Sequence, residues 1–300
     1  MYLVTGATGQ LGKRVVQRLC EQNRPVRAFV RLMSRYSELE AWGAEIFIGD
    51  LQDSRDIAKA CRGVRYIIST HGSSETSGGG TAQAIDYRAN VELIEQAKLA
   101  KVKHFTFISV LGVERGYEDS PIFKAKGEVE RYLQSSGLKF TILRPGSFAS
   151  NVLNAASRFR QSGVYILIGN PENRTSLVSP DDLAAIATVA AQSPAAQDQI
   201  FAVGAEPIQR GDIPKILGKL LEREPRVINF PLLAVDSARG AIGLFNPQLK
   251  EDLGTFRLLM AEELFCSPEE IERVEQVFAL KLENLEQFLR RYLLQPPQEG

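Results

Sequence analysis

The sequence predicts an α/β fold, a doubly wound parallel sheet joined to a smaller, mainly helical C-terminal lobe, and three observations carry that prediction. Apolar, β-rich runs recur at 2–4, 26–30, 45–48, 65–69, 104–109 and 139–143, and each of the first five is followed by a segment able to form a helix. Strands alternating with helices require right-handed crossovers, so the strands lie parallel and helices cover both faces. The first run leads directly into Gly6-x-x-Gly9-x-x-Gly12 and then into a helical pattern, and the regular alternation stops after Leu143-Arg-Pro-Gly146. Together these features describe a Rossmann-type domain over 1–150 and a second lobe over 151–300, with 175–205 returning to the first domain's sheet.

In the first loop Gly6 permits the tight turn, Gly9 lets backbone N–H groups approach a pyrophosphate, and Gly12 lets the next helix pack close to the strand. Leu11, Val15, Val16 and Leu19 give that helix an apolar face, and Val26 to Val30 reads as the following strand. The glycines therefore stand in the strand–turn–helix–strand context of a dinucleotide cradle. Its candidate binding residues are Gly6, Thr8, Gly9, Gln10, Leu11 and Gly12. Charge at the end of the second strand separates the two dinucleotides, because an NAD site places an acid about 20 residues past the glycines to hold the ribose 2′-hydroxyl. Here Val30-Arg31-Leu32 is followed by Arg35, with no acid between Glu21 and Glu38. Arg31 is expected to stack beside the adenine and pair a 2′-phosphate, with Lys13 assisting, so NADP is the expected cofactor. The alternative for Arg31 is a solvated surface arginine. Asp50, in Gly49-Asp50-Leu51 at the end of the third strand, is a candidate for the adenine amino group alongside Leu51, its alternative being a turn-stabilising aspartate.

Of the helices between strands, the one carrying Val91, Leu93, Ile94 and Ala97 is expected to be the longest. The Gly/Ser/Thr-rich stretch 71–81 cannot bury apolar surface and leaves the carboxyl end of a strand, so it reads as either a lid or an idle connection. Ser179 and Pro180 read as N-cap and first residue of a helix through Ala191, and Ile200 to Val203 as an extra strand. Further helices are expected over Pro214 to Leu221, around Glu251 to Phe265, and from capped starts at Ser267 (with Glu270) and Asn284 (with Gln287). Leu285, Phe288, Leu289 and Tyr292 form one apolar face, which packs on the lobe itself or receives a protein partner. The tail from Gln295 is expected to fray.

Lysine plus arginine (36) balances aspartate plus glutamate (36), which removes an overall positive field for nucleic acid or an anionic membrane and favours a small-molecule site. Cys20, Cys61 and Cys266 are odd in number and argue for reduced thiols in a cytoplasmic setting. No apolar run reaches the length of a membrane span, and the chain starts on a strand, leaving no room for a cleaved signal. His71 and His104 lack metal-ligand companions, so no metal is expected; His104 reads as a strand-edge residue and His71 as a loop residue at the crevice.

Thr5-Gly-Ala-Thr-Gly-Gln-Leu-Gly12, Val30-Arg31, Gly43-Ala-Glu, Gly49-Asp50-Leu51, Val102-Lys-His-Phe with Ser109, Lys124-Ala-Lys-Gly-Glu-Val-Glu130 and Thr141-Ile-Leu-Arg-Pro-Gly146 together resemble the atypical short-chain dehydrogenase/reductases of the NmrA-like group. That group includes redox-sensing regulators, quinone and triphenylmethane reductases, isoflavone and benzylic ether reductases, and photosystem-assembly factors. The match is dense over roughly the first 150 residues, weaker at Leu177 to Leu183, and carries no usable signal beyond about 235. The resemblance implies hydride-transfer machinery made of a serine at the end of strand five and Tyr-x-x-x-Lys on the next helix. Ser109 and Lys126 occupy the serine and lysine positions, but Ile122 stands where the proton-donating tyrosine belongs. Tyr117 is a candidate substitute, its alternative being a loop aromatic packed on the surface.

For Lys126 the resemblance offers two roles, the acid–base group of the tyrosine-lacking benzylic ether reductases or a ligand of the nicotinamide ribose hydroxyls. A quinone suffers least from a missing tyrosine, because its developing oxyanion takes a proton from water or Lys126. Phe148 and Asn151 are candidates for packing on the nicotinamide and bonding its amide, against ordinary lobe packing. The expected function is an NADP(H)-dependent reductase of a quinone or other conjugated small molecule. The alternative is a non-catalytic NADP(H)-binding redox sensor or assembly factor.

Overall fold

A parallel sheet buries both faces of its strands, and the first strand here is buried along its whole length, Tyr2–Thr5. A computed structural model describes residues 1–72, 81–117, 120–242 and 247–294. In chain order the first half contains β1 (Tyr2–Thr5), α1 (Gln10–Glu21), β2 (Val26–Val30), α2 (Ser37–Ala41), β3 (Glu45–Ile48), α3 (Ser54–Ala60), β4 (Tyr66–Ser69), a π-helical turn (Gln83–Arg88) running into α4 (Ala89–Leu99), β5 (His104–Ile108), α5 (Pro121–Ser135) and β6 (Phe140–Pro145). The remainder contains β7 (Ser147–Phe148), α6 (Ser150–Ser162), β8 (Val164–Ile168), β9 (Arg174–Thr175), β10 (Leu177–Val178), α7 (Pro180–Ala190), β11 (Gln199–Val203), β12 (Ile208–Gln209), α8 (Ile213–Leu220), β13 (Arg226–Phe230), α9 (Leu232–Ile242), α10 (Pro247–Ala261), α11 (Pro268–Phe278) and α12 (Leu285–Leu293).

Among the described residues seven strands form one sheet in the order β11-β6-β5-β4-β1-β2-β3. β1 pairs in parallel with β2 (Leu3 opposite Arg27) on one side and with β4 (Leu3 opposite Ile67) on the other. The strand order therefore reverses between β1 and β4, the switch point outside whose carboxyl ends such sheets bind ligands. Helices cover the sheet, and the core joins Leu3, Ile67, Phe105, Phe107 and Ile142 of the strands to Ile94, Val129 and Leu133 of the helices. Each such side chain, fully withdrawn from water, contributes about 1.5–3 kcal/mol before entropy is counted.

The chain divides into two compact units: Met1–Arg144 with Pro180–Phe201 and Gln276–Ala279, and Pro145–Ser179 with Ala202–Glu275 and Leu280–Gly300. In the second, Val152 and Phe159 of α6, Leu217 of α8 and Phe288 and Leu289 of α12 share one core. The apolar face of α12 thus packs on its own lobe, leaving Tyr292 39% exposed. Both capped helix starts are present: Ser267 N donates to Glu270 Oε2 at 2.7 Å and Glu270 N to Ser267 Oγ at 3.3 Å, and Asn284 and Gln287 reciprocate in the same way at α12. The lobe also holds three two-stranded pairs, β10 with β7, β12 with β9 and β13 with β8, that local patterning does not announce.

The α-helix over Val91 to Ala97 has 11 residues and α5 has 15, but the π turn Gln83–Arg88 running into α4 makes that helical segment the longer of the two. Lys124, Lys126, Glu128 and Glu130 interrupt the apolar pattern of α5 and mask a face made of Phe123, Val129 and Leu133, whereas the start of the α4 segment is wound as a π turn. His104 is no edge residue, since β5 lies between β4 and β6 and buries the imidazole to 5% exposure. Residues 73–80 of the glycine-rich stretch and the tail from Gln295 lie outside the described residues. Among the described residues no helix is long and apolar enough to cross a membrane.

Candidate functional site

The glycine loop takes the shape its spacing demands. Gly6 adopts φ +68°, left-handed backbone that glycine reaches without strain, and its carbonyl accepts the Gly9 N–H at 2.9 Å. A Cβ on Gly12 would lie 2.2 Å from the Gly6 carbonyl oxygen and 2.8 Å from Thr70 Oγ1, so glycine here is what lets α1 approach the switch point. Gly9 is the N-cap of α1 and no side chain caps that helix. The amides of its first turn therefore have no acceptor within the helix, and its positive end lies beside Gly9 and Gln10, which are exposed. Leu11 turns its side chain into the core at 5% exposure, so only its backbone is available to a ligand.

Arg31 leaves β2 exposed and opens a turn in which its carbonyl accepts Ser34 N–H at 2.9 Å. Lys13 pairs with Glu38 of α2 and lies over the Trp42 ring, 5.8 Å from its centroid. Asp50 is exposed, but its Oδ1 accepts the Gln52 N–H at 2.9 Å, the turn-stabilising role named above as its alternative. Leu51 packs partly buried against the main core.

Behind these residues runs a buried polar network. Ser69 Oγ, at the end of β4, donates to Asn90 Oδ1 at 2.6 Å and lies 3.2 Å from His71 Nδ1. His71 Nδ1 also lies 2.8 Å from Thr5 Oγ1, the residue before Gly6. His71 Nε2 is buried and has no hydrogen-bond partner among the described residues. Asn90 Nδ2 in turn donates to the Asp86 carbonyl at 2.8 Å. The Asp86 carboxylate lies 3.6 Å from Lys126 Nζ, and Lys126 Nζ donates to the Ile108 carbonyl at 3.0 Å. Ser109 follows Ile108; its hydroxyl is buried and has no hydrogen-bond partner among the described residues. Ile122 lies half-buried in the first turn of α5, four residues before Lys126. Arg144 anchors that helix, gripping Glu130 through Nε at 3.0 Å and Nη2 at 2.6 Å and reaching Glu114 at 2.9 Å. Tyr117 packs edge-on against Phe123, with ring centroids 5.4 Å apart, and accepts from Arg115 at 3.3 Å, which is the behaviour of a packed loop aromatic.

The chain's two histidines are both buried and neutral. Burial, and then the charge of Lys126, pushes His71 from 6.5 down to about 3; burial alone leads for His104, pushed down to about 4. Their contribution to stability is whole above the unfolded value of 6.5, declines as pH falls, and is fully lost once pH has passed the folded values of about 4 and 3. From pH 7 to 5.5 each histidine should remove about 1 kcal/mol and the melting temperature should fall by roughly 3–5 °C. Melting curves that coincide across that range would refute the buried neutral state.

The structure thus gathers the glycine loop, Arg31, Asp50, Leu51, Ser109 and Lys126 in the first unit, while Phe148 and Asn151 belong to the second, Phe148 half-buried on β7 and Asn151 exposed on α6. Sequence reasoning missed Ser69, Asp86 and Asn90, and it placed His71 in a loop, as the structure does, without anticipating that the residue is buried. One signal was present: Asp86 and Asn90 stand four apart, on one helical face, immediately before an apolar helical run.

A model of NAD(P)H-binding proteins matches residues 6–194. The photosystem II assembly factor Ycf39 of Cyanophora paradoxa is 27% identical over 298 residues, 97% of this chain and 91% of that protein. The NAD(P)H azoreductase of Xenophilus azovorans is 30% identical over 248 residues, covering 81% and 82%. Among solved structures, the triphenylmethane reductase of Citrobacter sp. complexed with NADP(H) superposes with TM-score 0.78 at 19% identity, covering 98% of this chain and 100% of that one. The NADPH-dependent quinone oxidoreductase of Escherichia coli gives 0.77 at 20%, covering 97% and 99%. At such identities the two structures establish a common fold. With the family match spanning more than half its length over the glycine loop and the switch point, the chain belongs to the NAD(P)H-binding family, among the atypical short-chain dehydrogenase/reductases.

Proposed function

We propose that this protein is an NADPH-dependent reductase of a quinone or another conjugated, electron-poor small molecule. The observation that carries the reading is a buried Ser109 hydroxyl, without a hydrogen-bond partner among the described residues, next in sequence to Ile108, whose carbonyl holds the Lys126 ammonium at the carboxyl end of β5, with Ile122 one turn earlier on α5. NADPH, when bound, supplies the hydride. The cradle around Gly9 and the uncapped start of α1 suit its pyrophosphate, and Arg31 suits its 2′-phosphate. Lys126 reaches the nicotinamide ribose, and Ser109 offers a hydrogen bond to oxygen on the acceptor. Reduction of a conjugated acceptor leaves an anion already spread over the ring, so water or Lys126 suffices as the proton source and no tyrosine is needed. The azoreductase and quinone oxidoreductase likenesses support this class of acceptor. Free Cys20, Cys61 and Cys266, the last two pushed up to about 12 by burial, suit a reducing cytoplasmic setting.

The near full-length likeness to Ycf39 favours a second reading, in which NADP(H) is held without turnover to sense redox state or assist assembly of a partner. Following NADPH consumption with quinones and azo dyes, and NADP reduction with secondary alcohols, separates the two. Quinone turnover is expected, with alcohol oxidation at least about a hundredfold slower because Ile122 has no proton to exchange. Ile122→Tyr should raise alcohol oxidation measurably. Robust alcohol turnover by the unaltered protein would overturn the reading of Ile122, and inactivity with every acceptor would establish the second role.

A further inference from the structure

Asp86 is fully buried, and a carboxylate withdrawn from water costs several kcal/mol unless charge and hydrogen bonds replace the solvent. We propose that Asp86 is a positioning residue for Lys126, fixing the ammonium where it meets the cofactor's ribose; the inference rests on the reading that Lys126 is a cofactor ligand.

Four observations converge on it. The Lys126 side chain is 12% exposed and its Nζ has two polar neighbours from different elements, the Ile108 carbonyl at 3.0 Å and Asp86 Oδ1 at 3.6 Å. The Phe107 ring, its centroid 5.3 Å away, adds a third side to the enclosure. Asp86 lies inside the π-helical turn Gln83–Arg88, a winding that appears mostly as single turns at functional sites. That turn is tied down, because Asn90 Nδ2 holds the Asp86 carbonyl at 2.8 Å while Ser69 Oγ holds Asn90 Oδ1 at 2.6 Å. Finally, the chain leaving β4 passes against the pair: a Cβ on Gly72 would stand 3.0 Å from Asp86 Oδ1 and 3.8 Å from Lys126 Nζ.

A free lysine side chain loses up to about 2 kcal/mol of rotamer entropy when a ligand orders it. Lys126 is ordered beforehand by groups of the chain itself. The same chain of bonds runs through Ser69 and His71 to Thr5, so the residue that enters the glycine loop and the residue that meets the ribose share one rigid scaffold.

A double-mutant cycle on NADPH dissociation constants, using Asp86→Asn, Lys126→Ala and the pair, tests the role, with melting temperatures recorded for each. Each single change should weaken binding by roughly tenfold, and the double variant should bind no more weakly than Lys126→Ala, since Asp86 acts through the ammonium. Losses that multiply in the double variant, or unchanged affinity in a folded Asp86→Asn, would overturn the inference while leaving the reading of Lys126 standing. Unchanged affinity in Lys126→Ala would instead defeat that reading, and the inference with it. If Asp86→Asn does not fold, Asp86→Ser puts the same question with a smaller polar side chain.

Discussion

Gly9→Val is expected to weaken NADPH binding by at least about a hundredfold while moving the melting temperature by no more than roughly 3 °C. The backbone at Gly9 sits at φ −75°, ψ 168°, extended geometry that valine adopts without strain. Among the described residues a Cβ there meets only the Gly6 carbonyl oxygen, at 3.1 Å, a contact that a shift of a few tenths of an ångström relieves. The added isopropyl group occupies the space over the start of α1, where a pyrophosphate must come within hydrogen-bond distance of the backbone. Gly12 offers no such separation of binding from folding. Its Cβ would stand 2.2 Å from the Gly6 carbonyl oxygen, so the loop or the helix must move. Calorimetric titration together with a melting curve decides the matter, and an unchanged dissociation constant in folded Gly9→Val would remove the loop from the binding site.

Arg31→Asp should reverse the cofactor preference, from NADPH in the unaltered protein to NADH in the variant. A bidentate guanidinium–phosphate contact contributes about 1.5–3 kcal/mol, or roughly 10- to 150-fold in affinity, and exposure at the end of β2 places this one toward the lower end. Aspartate at the same position repels a 2′-phosphate and accepts from a 2′-hydroxyl, so loss of one ligand and gain of the other act together. Titration with both dinucleotides at fixed ionic strength measures it. Equal or tighter NADH binding by the unaltered protein would refute the role of Arg31.

Much of this protein was legible along the chain because the features concerned are local. Strand and helix periods placed β1 to β6 within one or two residues, and the capping pairs Ser267–Glu270 and Asn284–Gln287 were read from residues three apart. The apolar spacing of Leu285, Phe288 and Leu289 defined the face of α12 but not its neighbours, which are Val152, Phe159 and Leu217. The two-residue strands β7, β9, β10 and β12 escaped notice, since two residues carry no period and their pairing is set entirely by distant chain.

By itself the sequence determined the doubly wound sheet, the glycine loop at its switch point and the arginine after β2, all consequences of residue type at short spacing, whereas the expectation of a tyrosine where Ile122 stands came from the family resemblance. Tertiary structure alone decided the state of the polar interior. Thr5 and His71 are 66 positions apart and Lys126 reaches Asp86 from another helix, so whether these groups are buried, which of them bond, and which histidine nitrogen carries the proton depend on neighbours that folding brings together. Desolvation and hydrogen bonding act through space, and a local pattern records only which side chains prefer to leave water.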